Sequence, residues 1–166
     1  MTLRLSKIVM LLCLAAFCFL VVFGNVTDYG SNFAFVQHVL SMDTIFPGNV
    51  LTYRSITNPA LWTAGYWLII AGEALTCSLF LLAALELWRA RHASGRDFDR
   101  AKKFAVIAVT MGFLVWFFGF MVIGGEWFAM WQSSTWNGQE SAFRFYMTML
   151  AVLIYVVQPD RDLERD

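Results

Sequence analysis

The residues from Ala60 to Leu87 form a long apolar run that is interrupted by one carboxylate, Glu73. A helix rises about 1.5 Å per residue, so this run is roughly 42 Å long and can cross a bilayer and both of its interfaces. Glu73 is then expected near the midplane, where an ionisable side chain is costly. The run therefore predicts a membrane-spanning helix whose acid has a buried partner, stays protonated or lines a polar path.

The composition of the whole chain indicates a membrane protein. Hydrophobic residues make up 59% of the sequence and charged residues 14%, which is too apolar for a soluble globular domain. The three cysteines lie inside apolar runs without neighbouring histidines, so neither a disulfide framework nor a zinc site is predicted. No pair of histidines within a span is available for haem. We therefore predict no metal and no cofactor.

Four apolar segments predict an all-α membrane protein, a bundle of four transmembrane helices formed by one domain. The spans are expected at about residues 8–24, 60–87, 104–126 and 141–157, with outer loops 25–59 and 127–140 and a basic inner loop 88–103. Apolar residues at helical spacing in 33–40 indicate that the first outer loop is a partly helical periplasmic cap. The charged tail, residues 158–166, is expected to fray.

The basic residues predict the orientation of the bundle. Ten of the twelve Lys and Arg residues fall on one side of the predicted spans, leaving only Arg54 and Arg144 for the other. Because cytoplasmic loops carry the excess of Lys and Arg, both termini and the basic loop are predicted to be cytoplasmic. The basic loop lies between two predicted spans, so its charges are explained by membrane topology. No nucleic-acid partner is therefore predicted.

Small and polar residues gather on the Glu73 side of the second predicted helix. At 100° per residue, Thr76, Gly65 and Gly72 lie beside Glu73, so the acid is directed into the bundle, and Glu73 with Thr76 forms an intramembrane polar site. Three roles for this site stay open. Glu73 is a protonated packing residue, a proton or cation site in a transport path, or a contact to a partner subunit, a lipid or a quinone.

Two pairs of glycines predict close helix packing. Gly65 and Gly72 on the second span, and Gly112 and Gly119 on the third, are each seven residues apart and so share one helical face. Smooth strips of this kind let two helices approach closely. The two strips are candidates to face each other.

The outer segments carry a second set of candidate residues. Glu140 and Arg144 have the favourable i, i+4 order for an ion pair, and Glu126 could compete for the same arginine at the outer interface. Contacts to a partner are expected from Asp28, His38, Asp43, Trp127 and Trp131. No nucleophile, base and orienting group can be combined from these residues, so no catalytic residue is assigned and an enzyme is the least favoured class.

Three motifs resemble one known family. They are Asn25-Val-Thr-Asp-Tyr, the stretch from Phe35-Val-Gln-His to Ile45-Phe-Pro47, and Gly124-Gly-Glu-Trp-Phe-Ala-Met-Trp-Gln-Ser-Ser-Thr-Trp-Asn-Gly138. They resemble a family of predicted small bacterial integral membrane proteins of about this length, with a domain of unknown function. The resemblance covers nearly the whole chain. It implies four helices and a location in the bacterial inner membrane, and it carries over no activity, substrate or catalytic residue.

Two functional hypotheses follow from these features. The preferred one is a non-catalytic accessory or scaffolding subunit that packs against a larger inner-membrane complex, such as a respiratory one, because no relay of acids or histidines accompanies Glu73. The alternative is a small oligomeric proton- or cation-coupled transporter or channel that uses Glu73. In either case the expected surroundings are the lipid bilayer and another membrane protein or a second copy of the chain.

Overall fold

The computed structural model describes residues 1–162, and within that range it contains helices and no strand. The α-helices are α1 (Thr2–Thr27), α2 (Tyr29–Ser41), α3 (Pro59–Arg89), α4 (Gly95–Ala101), α5 (Lys103–Phe113) and α6 (Gln139–Val156). α5 runs on directly into a π-helix, Leu114–Trp127. Two short 3₁₀-helices, Val50–Arg54 and Met130–Gln132, lie in the connecting segments.

Three helical stretches in the described part of the chain are long and apolar enough to cross a membrane. They are Thr2–Thr27, Pro59–Arg89 and Gly95–Trp127, and they contain the first three predicted spans. α6 covers most of the fourth predicted span but is not one of the three, since its first turns carry Glu140 and Arg144. The protein is therefore all-helical, with three helices able to span a membrane.

The helix ends follow from local chemistry. α3 begins with Pro59 at its first position, where the missing N–H costs nothing, and Asn58 caps it by accepting a hydrogen bond from Ala60 N at 3.0 Å. α1 continues to Thr27, and only Asp28 separates it from α2. The first helix is thus three residues longer at this end than the predicted span. This extension carries Asn25 into the helix bundle.

The core of the bundle is built around α3, which lies between α1 and α5, while α6 packs on α5 and the π-helix. A Cβ on Gly72 would lie 2.8 Å from Val115 Cγ2, and one on Gly112 would meet Met149 and Thr76. Gly65 instead faces α2. The two glycine strips therefore meet only in part, because α2 occupies the outer half of the α3 strip.

The π-helix is the least regular part of the bundle. Its last turn closes with Phe128 N donating to Ile123 O at 3.0 Å, a bond that spans five residues. Buried Gly124 and Gly125 lie in this stretch. Because π-helical turns are rare and occur frequently at functional sites, the cavities beside this helix are the first place to look for a ligand.

The two predicted outer loops, 25–59 and 127–140, pack together at one end of the bundle. Val39, Met42, Phe128, Ala129 and Met130 form a small apolar core of their own. Thr44 Oγ1 donates to Ser133 Oγ at 2.9 Å, and Asn49 Nδ2 donates to Gln132 Oε1 at 2.7 Å. These contacts join α2 and the 3₁₀-helices into one ordered layer over the N-terminal end of α3 and the C-terminal end of the π-helix. We call it the outer layer, after the predicted outer loops that form it.

Candidate functional site

Glu73 is buried in the bundle and is paired with the end of α1. Its side chain is 2% exposed, and Asn25 Nδ2 donates to its Oε2 at 2.7 Å. Tyr66, two turns earlier on α3, donates its hydroxyl to the main-chain oxygen of Asn25 at 2.7 Å. Asn25 is thus held at its backbone by Tyr66 while its amide reaches Glu73.

The pairing with Asn25 and a second bond between α1 and α3 show where the acid lies along α1. Asn25 lies in the last turn of α1, whereas Cys77, one turn further along α3 than Glu73, donates its Sγ to Ala15 O near the middle of α1 at 3.4 Å. The Glu73 carboxylate therefore lies beside the C-terminal half of α1, not level with its midpoint. The reason is that α3 extends well beyond the end of α1, so the middle of α3 is not the middle of the bundle.

Thr76 is buried beside Glu73 but does not bond to it. Its hydroxyl donates to Gly72 O, one turn earlier, at 2.8 Å. Its methyl group points toward Gly112 on α5. Thr76 therefore satisfies its own polar group within α3 and serves the contact between α3 and α5, which leaves Asn25 as the partner of the acid.

A cavity of about 200 Å³ opens next to Glu73. It is lined by residues of α1, α2, α3, the π-helix and α6 and by one glycine just before α6: Val21, Asn25, Asn32, Phe35, Val36, Tyr66, Ile69, Glu73, Trp116, Phe120, Gly138, Ser141, Ala142 and Phe145. Ser141 is exposed, so the cavity reaches the surface near the start of α6. Glu73 is the one charged residue in this lining.

One oxygen of the Glu73 carboxylate is uncommitted. Oε2 accepts the Asn25 hydrogen bond, whereas Oε1 has no hydrogen-bond partner among residues 1–162 and is not fully enclosed by them. No Lys, Arg or His in that range pairs with the acid. A buried carboxylate without a cation or further donors is unfavourable. A bound cation or hydrogen-bond donor would therefore supply the partner that Glu73 Oε1 lacks.

A second cavity of about 190 Å³ adjoins the first and is almost wholly apolar. Phe35, Val36, Ile69 and Phe120 line both cavities, and the second continues between α2, α3 and the π-helix toward Met130. This second cavity therefore offers a ligand apolar contacts almost exclusively.

The outer acids and arginines do not form one network. Glu140 and Arg144 make the i, i+4 ion pair on the exposed face of α6. Glu126 is exposed and joins no ion pair within residues 1–162. Arg54 lies instead over the ring of Trp127, 4.6 Å from its centroid. Exposed ion pairs of this kind contribute little to stability.

The residues expected to contact a partner are spread over the outer layer. His38 Nδ1 lies 2.8 Å from Asp43 Oδ2, and the His38 ring stacks on Trp136 at 4.6 Å. Trp131 is half-exposed and packs edge-on against Phe46, Trp127 is half-exposed, and Asp28 is exposed between α1 and α2. The structure brings His38 and Asp43 together and leaves the other three apart.

Sequence reasoning missed a buried charge cluster at the opposite end of the bundle. We call Arg4, Lys7, Lys102 and Asp160 the Asp160 cluster. All four side chains are less than a tenth exposed, and Asp160 Oδ2 accepts hydrogen bonds from both Lys7 and Lys102 Nζ. Arg4 also donates to the main-chain oxygens of Ala93 and Arg161.

The Asp160 cluster corrects the prediction of a frayed tail. Gln158 O accepts from Lys7 at 2.8 Å and from Lys102 at 2.7 Å, so residues 158–162 are fastened to α1 and to the start of α5. Residues 163–166 lie outside the described part. Burial opposes ionisation of Asp160, but the hydrogen bonds from Lys7 and Lys102 outweigh it and hold the pKa of that carboxyl below its usual value.

Metal binding finds no support in the described part of the chain, since no group of three His, Cys, Asp or Glu side chains converges within residues 1–162. The three cysteines are free, and Cys18 and Cys77 are buried. The Glu73 cavity offers a ligand one carboxylate, the amides of Asn25 and Asn32, the Ser141 hydroxyl and aromatic walls.

Comparison with known proteins identifies one family. A family model described as "Predicted small integral membrane protein (DUF2165)" matches residues 3–159, which is nearly the whole chain. This match confirms the resemblance that the outer motifs suggested. Neither a curated protein nor a solved structure matches the chain.

Proposed function

The chain belongs to the DUF2165 family of predicted small integral membrane proteins, and on that premise we propose that it is a small carrier or channel with Glu73 as its cation-binding group. The observation that carries this proposal is the free Oε1 of Glu73 in a cavity without any other charged residue. Intramembrane acids of this kind mark ion and substrate pathways. Asn25 fixes the carboxylate on one side and leaves the other side to the ligand.

We propose a bacterial inner-membrane protein with four spans, in which α6 is the fourth. α6 has 18 residues and packs along α5 and the π-helix, and its ion pair of Glu140 and Arg144 sits at the end where headgroups would be met. The excess of basic residues at the Asp160 end supports cytoplasmic termini. The layer formed by 25–59 and 127–140 is then a periplasmic cap, and the Glu73 cavity opens toward it.

The test is cation movement in proteoliposomes. The purified full chain is reconstituted, a membrane potential is imposed, and its dissipation is followed while H⁺, Na⁺ and small ammonium ions are supplied in turn. At least one cation is expected to dissipate the potential with wild type and not with Glu73→Gln, which keeps the shape and removes the charge. Glu126→Gln, an exposed acid on the same chain, is the matched control and should behave as wild type.

Two results would overturn the proposal. One is a wild-type protein that moves none of these cations. The other is a Glu73→Gln variant that moves them as fast as wild type does.

An accessory or scaffolding subunit is the second candidate function. It is favoured by the exposed aromatic residues of the outer layer, among which Tyr53 is 75% exposed and Phe46, Trp127 and Trp131 are each about half-exposed. Such rings are enriched where a partner or the membrane interface is met. Purification in mild detergent tests this alternative, since a lone chain with no stoichiometric partner would rule it out.

A further inference from the structure

The walls of the Glu73 cavity are largely aromatic. Five rings line it, those of Phe35, Tyr66, Trp116, Phe120 and Phe145. Trp116 meets Phe145 edge-on, with 5.9 Å between centroids and 89° between planes, and Phe35 stacks on Phe120 at 6.0 Å. The rings therefore hold one another in place around the carboxylate.

This lining suits some cations much better than others. A hard metal ion takes six or more oxygen ligands, and the cavity offers one carboxylate, the amides of Asn25 and Asn32 and the Ser141 hydroxyl amid apolar side chains. An alkylated ammonium ion needs fewer oxygens, because ring faces attract its positive charge and contact its methyl groups. A carboxylate surrounded by aromatic rings thus supplies both the negative charge and the ring faces that bind such an ion.

We infer that the Glu73 cavity binds a small organic ammonium ion, with its charge against Glu73 Oε1 and its alkyl groups against the aromatic walls; this inference rests on the proposed cation-binding function. The volume of about 200 Å³ lies below the range of about 300–1,000 Å³ that is typical of sites for drug-sized ligands. The ligand is therefore an ion of a few carbon atoms. The apolar cavity alongside gives room for one short alkyl substituent.

The experiment compares a charged probe with its neutral counterpart. Isothermal titration of the purified full chain in detergent is carried out with choline and with 3,3-dimethylbutan-1-ol, which has nearly the same shape and no charge. Choline is expected to bind, and the neutral alcohol is expected to bind at least about tenfold more weakly, since it cannot pair with the carboxylate.

Three variants locate the bound probe. Glu73→Gln should weaken choline binding by more than about tenfold. Phe145→Leu, which removes one wall ring, should weaken it by about 2- to 30-fold. Phe143→Leu is the matched control, because Phe143 lies on the same helix but is half-exposed and outside the cavity, so it should bind choline as wild type does. If Phe145→Leu does not fold, Phe120→Leu replaces it.

The outcomes separate this inference from the proposed function. Equal binding of choline and the neutral alcohol, or choline binding that Glu73→Gln leaves unchanged, overturns the inference. Absence of choline binding together with Glu73-dependent movement of H⁺ or Na⁺ in proteoliposomes overturns the inference and leaves the proposed function standing. Absence of both overturns the two together.

Discussion

Asn25 at the end of α1 donates a 2.7 Å hydrogen bond to Glu73 on α3, and it is the one side chain within residues 1–162 that bonds to this acid. The bond joins two helices that also meet through apolar side chains and through the hydrogen bonds that Tyr66 and Cys77 donate to main-chain oxygens of α1. It also orients the carboxylate so that its second oxygen faces the cavity. The proposed cation site depends on this pair.

Loss of the Asn25 amide should destabilise the protein. Asn25→Ala leaves the buried carboxylate without its donor, which we expect to cost about 1–3 kcal/mol. Thermal unfolding in detergent measures the loss. Asn32→Ala is the control, because the Asn32 amide donates to the main-chain oxygen of Asp28 near the surface. An unchanged melting temperature for Asn25→Ala would contradict the structural role of the pair of Asn25 and Glu73.

A methyl group on Gly72 should disturb the contact between α3 and the start of the π-helix. The added Cβ would lie 2.8 Å from Val115 Cγ2. Val115 is β-branched, so its side chain has little freedom to rotate away on a helix. Gly72→Ala should therefore lower the free energy of unfolding by about 1–3 kcal/mol. Gly30→Ala meets nothing within 4 Å and should be neutral or slightly stabilising. Equal melting temperatures for the two variants would show that the helices do not approach this closely.

Removal of the Asp160 charge should be more damaging than either change. Asp160→Asn leaves the ammonium groups of Lys7 and Lys102 buried with less compensation, and breaking a buried pair typically costs about 3–5 kcal/mol. Asp97→Asn, an exposed acid paired with Arg100, is the control and should lose less than about 1 kcal/mol. Limited proteolysis of the tail gives a second readout, since Asp160→Asn should make residues 158–162 accessible.

The same cluster predicts a dependence on pH. Because the pKa of Asp160 is lower in the folded protein than its ordinary value of 3.8, its stabilisation is fully present above that value and is lost as the pH falls through the folded pKa. The difference in melting temperature between wild type and Asp160→Asn should therefore be constant down to about pH 5 and shrink below about pH 4. A difference that shrinks already between pH 7 and pH 5 would assign the effect to another group.

The inward direction of Glu73 could be predicted from sequence, whereas its partner could not. Helical periodicity placed small residues beside the acid, and burial of Glu73 agrees with that pattern. Asn25 was assigned to a loop because the apolar run ends at Phe23, and only the continuation of α1 to Thr27 brings its amide to the acid. A polar residue two positions beyond an apolar run is the signal that could have indicated it.

The Asp160 cluster and the π-helix could not be predicted from the sequence, because both involve residues that are distant in the chain. The sequence uses the basic residues Arg4, Lys7 and Lys102 only to predict the orientation of the bundle. Their spacing gives no sign that the tail folds back and brings Asp160 to the two lysines. The π-helix, Leu114–Trp127, packs against α3, α6 and the 3₁₀-helix Met130–Gln132, and its apolar pattern alone suits an ordinary α-helix. Both features are tertiary and have no local signature.

The most direct measurement of the central claim is the rate at which a small carbodiimide modifies Glu73. Diisopropylcarbodiimide reacts with carboxyl groups in apolar surroundings, and peptide mass spectrometry locates and times the modification. Wild type should be modified at Glu73, the cation that crosses the membrane in proteoliposomes should slow that reaction severalfold, and Glu73→Gln should take no label at this position. A rate at Glu73 that no cation changes would contradict the assignment of this carboxylate as the cation site.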